Sequence, residues 1–171
     1  MKPTPTEIER SFGEEEIIVS KTDCQGRITY ANDVFLRVAG YREAEVLGQP
    51  HSLIRHPSMP RCVFHLLWAT LAEQKEIFAY VVNLAKNGDH YWVFAHVTPT
   101  FGNNGQVIGY HSNRRQPDRN QIDAVRPLYE TLLAVERQHQ AKAEQIAASS
   151  AVLSQLLAEK HMSYEEFVFS L

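Results

Sequence analysis

The sequence predicts an α+β domain: a five-stranded antiparallel sheet with short helices over one face, followed by a C-terminal helical extension. Three observations carry that prediction. Asn87-Gly88, between the β-branched and aromatic runs Ile77–Val82 and Tyr91–Thr100, is a strong hairpin signal, because both residues accept positive φ. A second turn, Gly102-Asn103-Asn104-Gly105, leads into a third apolar run from Gln106 to Ser112, which completes a meander. Beyond Gln116 the period-two alternation gives way to apolar residues three and four apart, the spacing of a helix.

In chain order, residues 1–14 read as a flexible or helical leader, 15–116 as the sheet domain and 117–171 as the extension. Glu16–Thr22 and Arg27–Ala31 form a hairpin about Asp23-Cys24-Gln25-Gly26. Asn32-Asp33 caps a short helix that ends at Gly40, and Glu43–Leu47 adds one turn before Gly48. The prolines between Gln49 and Pro60 preclude a regular helix there. Arg61–Glu73 places Val63, Phe64, Leu67, Trp68 and Leu71 on one helical face, so a pocket is expected between sheet and helices. In the extension, Asp118 and Gln121 form a capping box, and Ile122, Val125, Leu128, Tyr129, Leu132 and Val135 form a stripe. Pro127 should kink or break that helix. Ala143, Ile146, Ser150, Leu153 and Leu157 then suit a weak seam, either with a second copy or with the chain's own sheet. Such a seam predicts an extension needed for association and dispensable for the fold of the sheet domain.

Composition narrows the function. A net charge of −3 and a pI near 6.2 leave no electrostatic footprint for nucleic acid. No long apolar run or signal-peptide core occurs, so a cytoplasmic chain without a membrane segment is expected. Cys24 and Cys62 read as structural thiols, and the eight histidines match no metal-ligand spacing. Neither a nucleophile with its base nor a glycine-rich phosphate loop can be assembled, which argues against an enzyme. What remains is Arg55-His56, held between prolines: either a fixed donor pair for an anionic ligand or a solvated surface loop. Trp68 and Trp92 read either as core or as the border of a flat aromatic ligand.

Gly48-Gln49-Pro50-His51, Ile54-Arg55-His56-Pro57 with Met59-Pro60, Lys86–Val93 and Pro127-Leu128-Tyr129, with Asn32-Asp33, resemble the PAS domain of bacterial aerotaxis receptors over roughly residues 15–135. The resemblance implies a PAS fold that binds FAD without a covalent link and whose redox state reports on oxygen or electron transport. It implies Arg55, His56, Trp68, Asn83, Asn32 and Ser58 as the cofactor-binding positions and a chemoreceptor or other signalling partner, while the helical seam suggests a homodimer. In two places the chain departs from the family: Ser58 stands where the family has an acid, and Ile77 where it has a second tryptophan. Light-driven cysteine chemistry is not expected, because the N-C-R-F-L motif is missing. Receptors of this type continue into a membrane anchor and a methyl-accepting coiled coil, so a short stand-alone sensor or a segment of a longer one is expected. The rival classes are a cofactor-free dimerisation module and a haem sensor using His56 or His65.

Overall fold

The structure is a computed structural model and describes residues 2–171. Strands β1 (Ile18–Thr22) and β2 (Ile28–Ala31) form the first hairpin. Asp23 Oδ1 closes its turn by accepting from the Gln25 and Arg27 amides. Helix α1 (Asp33–Ala39) begins where Asn32 accepts from the Phe35 amide and ends at Gly40, whose φ of 75° is left-handed. Helix α2 (Glu43–Val46), a 3-10 turn (His51–Ile54) and helix α3 (Arg61–Ala72) follow. The meander of β3 (Ile77–Leu84), β4 (His90–Phe101) and β5 (Val107–Arg115) returns β5 beside β1, giving the order β2-β1-β5-β4-β3. All pairings are antiparallel, so the fold is the α+β arrangement expected.

The β3–β4 connection differs from a two-residue turn. Leu84 pairs with His90, leaving Ala85–Asp89 as the loop, and only Gly88 has positive φ there. The reason is the leader, which is neither helical nor loose but extended along the hairpin. The Thr6 amide donates to Gly88 O (3.0 Å), the His90 amide to Ile8 O (2.9 Å) and the Arg10 amide to His90 O (2.7 Å). A Cβ on Gly88 would lie 2.1 Å from Thr4 O, so only glycine admits the leader. Asp89 anchors this crossing by accepting from Thr6 Oγ1 (2.6 Å), Asn87 Nδ2 (2.7 Å) and Arg10 Nε (2.9 Å). Those bonds, Thr6's foremost, hold its carboxyl at about 2, against an ordinary 3.8. Because the folded value is the lower one, this stabilisation is present above about pH 4 and is lost as pH falls through 2. Asp89→Asn should therefore lose less stability than wild type between pH 4 and pH 2 in acid titrations followed by circular dichroism.

The extension comprises α4 (Arg119–Glu136), α5 (Lys142–Glu159) and α6 (Tyr164–Ser170), and it folds back on the sheet. Period-two alternation turns Val81, Asn83, Ala95 and Val97 toward the short helices. The alternate residues meet the extension. Phe169 packs edge-on to Phe78 (4.7 Å between centroids), Tyr129 lies parallel to Trp92 (6.2 Å), and the Tyr129 hydroxyl donates to Tyr80 O. Ile122, Val125, Leu128, Tyr129 and Leu132 join the main core together with Leu153, Phe167 and Val168. Pro127 does not break α4. It sits on the exposed side beside Arg126 and Glu130, and the stripe around it is buried. The single missing backbone bond costs about 3 kcal/mol, less than that burial contributes. Glu136, 5% exposed, ends α4 by capping a different helix: its Oε1 accepts from the Arg61 amide (2.7 Å) and the Cys62 amide (3.3 Å) of α3, and from Ser149 Oγ of α5 (2.8 Å).

Candidate functional site

A cavity of about 320 Å3 lies between the sheet and the short helices. One wall is apolar: Phe64, Leu67, Trp68 and Leu71 present the i, i+3, i+4, i+7 stripe of α3, facing Val81, Ala95 and Val97 of the sheet. Trp68, 39% exposed, stands at the mouth edge-on to Tyr110, with centroids 5.4 Å apart. Gly26 closes against it, since a Cβ there would lie 3.4 Å from the indole.

The opposite wall is polar and short of partners. Ser20 and Thr22 of β1, Ser112 and Arg114 of β5, and His51 of the 3-10 turn line it. Arg114 is 2% exposed and has no carboxylate beside it among the described residues. Its Nη2 donates to Ser20 Oγ, which lies 3.0 Å from His51 Nε2, while its Nε and Nη1 have no partner. Burial pulls Arg114 down to about 10. Burial, then the charges of Arg114 and Arg55, hold His51 at about 3, so the imidazole is neutral. Thr22 Oγ1, Arg55 Nε and Asn83 Nδ2 are buried and unpaired on the same cavity. Buried polar groups are normally satisfied, so this surplus of donors calls for an acceptor-rich occupant.

The residues singled out from sequence divide into two groups. Arg55, Trp68 and Asn83 line the cavity; Arg55 and Asn83 meet in an antiparallel bridge, and the Arg55 guanidinium lies 3.7 Å over the Phe64 ring. His56 and Ser58 line a separate cleft beside α4, where the Ser58 amide donates to His56 Nδ1 (3.1 Å), and His56 also borders a further cleft with Arg55 and Arg61. Asn32 is engaged by the backbone, accepting from Val19 and donating to Ile17 O (2.8 Å). His65 is exposed on α3. Sequence reading missed Ser20, Thr22, His51 and Arg114. The shared parity of Tyr110, Ser112 and Arg114 was the available signal, and the strand was expected to end at Ser112.

A sheet of this order with a cavity under short helices defines a sensor-domain architecture, and comparison agrees. The family described as the PAS fold matches residues 28–114, and the chain belongs to that family. Its PAS domain is of the aerotaxis-receptor type. It is 41% identical over 132 residues to the aerotaxis receptor of Escherichia coli strain K12, covering 77% of this chain and 26% of the receptor. The nitrogen fixation regulatory protein of Klebsiella pneumoniae is 31% identical over 99 residues, 58% of this chain and 20% of that protein. The chain thus spans about a quarter or less of the curated relatives it matches. A light-oxygen-voltage domain studied with a flavin analogue superposes with a TM-score of 0.57 at 20% identity, covering 67% of this chain and 86% of that one, a likeness of fold. No described helix is long and apolar enough to cross a membrane.

Proposed function

We propose that this chain is a non-enzymatic redox sensor domain that binds FAD without a covalent link and passes its redox state to the C-terminal helices or a signalling partner. The observation that carries the reading is the two-sided cavity, with unpaired Arg114 and Thr22 groups opposite an apolar wall and unpaired Arg55 and Asn83 groups beside it. An isoalloxazine has the same division, with carbonyls and ring nitrogens on one edge and methyl groups on the other. The aerotaxis-receptor resemblance supports the same cofactor. The flavin would supply the electron chemistry. The chain's own part is to orient the ring through Arg114 and Asn83, to hold the ligand at the cavity wall with Arg55, to exclude water with α3, and to carry any shift of α3 to Glu136 and Ser149. His56 and His65 do not line the cavity, which gives haem ligation through either no support.

Protein purified from flavin-replete cells should be yellow and should release intact FAD on denaturation. Arg55→Ala should lower FAD affinity by tenfold or more, the effect of about 1.5–3 kcal/mol for a charge-assisted bond, with the circular dichroism unchanged. Arg55→Lys should also bind more weakly, since an ammonium cannot stack and fork together. A colourless protein that cannot be loaded with FAD would favour a cofactor-free dimerisation module.

A further inference from the structure

The cavity is too small for a whole dinucleotide; about 320 Å3 is at the low end of ligand pockets, roughly 300–1,000 Å3. A second cleft, of about 570 Å3, adjoins it, and Ser52, Arg55 and Phe64 form their common wall. Lys2, Arg55, Arg61 and Arg137 bring four cations to this second cleft from the leader, the turn after residue 54, α3 and the C-terminal cap of α4. None of the four has a carboxylate partner among the described residues, and no side-chain hydrogen bond from the three guanidinium groups is made. The one acid on the cleft, Glu136, is spent on the α3 amides and Ser149.

Gathering like charges without an anion is unfavourable, and the groups feel one another. Arg55 is pulled down by burial and then by Arg61, and Lys2 by burial and then by Arg55. A single bound anion would relieve every one of these repulsions. A ligand tail that crosses the Arg55–Phe64 wall from the cavity would enter this cleft. We infer that the cleft is a diphosphate subsite in which Arg61 and Arg137, with Arg55 and Lys2, hold the pyrophosphate of a flavin dinucleotide and so select FAD over mononucleotide and riboflavin. This rests on the flavin reading above, and adds two residues, one of them in the extension. Guanidinium groups suit the task because they donate in pairs to phosphate oxygens.

The test is to titrate apo-protein with FAD, FMN, riboflavin and ADP, following flavin fluorescence and, for ADP, calorimetry. FAD should bind at least a hundredfold more tightly than riboflavin, with ADP alone far weaker than FAD. Arg61→Gln and Arg137→Gln should each weaken FAD about tenfold and leave riboflavin unchanged, and the FAD constant of the double variant should be less salt-dependent than that of the wild type, Arg55 and Lys2 remaining. Arg137→Lys should recover part of the loss. Equal wild-type affinity for FAD and riboflavin overturns the subsite and leaves the flavin reading intact. An equal loss for riboflavin in the variants makes the arginines structural and overturns it as well. ADP binding as tight as FAD would make the cleft a separate nucleotide site. Binding of no flavin at all removes both readings together. Both arginines are exposed, so the variants should fold, with melting temperature as the control.

Discussion

A chain ended at Gln116 is expected to be insoluble, or to form large aggregates when refolded. This reverses the expectation, drawn from the weak seam, of an appendage the sheet domain can lose. The extension covers a sheet face bearing Phe78, Tyr80, Val82, Trp92 and Phe94, and removing it leaves those side chains in water. Ile122, Val125, Leu128, Tyr129 and Leu132 alone bury five large side chains. At about 1.5–3 kcal/mol each, their loss is comparable to the whole ~5–15 kcal/mol of a typical domain. The α3 amides of Arg61 and Cys62 would lose their Glu136 cap as well. Size-exclusion chromatography of the shortened chain decides it: a monodisperse species with native circular dichroism would show that the helices are an appendage after all.

The sheet was legible because alternation and turn chemistry are local, and the strands lie close to where those signals put them. The stripe of α4 was equally legible, but its partner was not. Tyr129 reads the same whether it faces a second copy or, as here, Trp92 of its own sheet. Glu136 shows the limit most clearly. In sequence it is a charge interrupting an apolar seam, and its role depends on amides 74 and 75 residues earlier. At the cavity, Arg55 and Trp68 were flagged by a motif, whereas Arg114 beside Arg115 looked like the charged start of a linker. Only the extra length of β5 and its pairing with Ile18 and Ala95 bring Arg114 inside.

Arg114→Met is expected to stabilise the ligand-free protein and to cripple ligand binding. Replacing buried ion pairs with apolar groups of similar volume is often neutral or stabilising by about 1–4 kcal/mol, and Arg114 has no counter-ion to lose. At roughly 2–4 °C per kcal/mol for a chain of this size, melting should rise by several degrees. FAD affinity should fall more than tenfold, because the substitution removes the two unpaired donors that face the cavity. Differential scanning calorimetry and flavin titration on the same preparation read both effects. A lower melting temperature would mean that the Ser20 bond and the contact with Phe35 (5.3 Å) outweigh the burial of the charge, and that the residue is there for the fold.

His51 at about 3 and Arg114 at about 10 leave a wide interval in which neither changes its charge. Across that interval the polar wall presents one fixed cation and one neutral imidazole to whatever occupies the cavity. The corresponding cost falls on folding. The unfolded chain takes up a proton at His51 near 6.5 and the folded one does not, so stability declines as pH drops from there toward 3. Within the native state, neither His51 nor Arg114 changes its charge as acidity varies across that interval. A ligand held against this wall would meet the same two charge states throughout that interval.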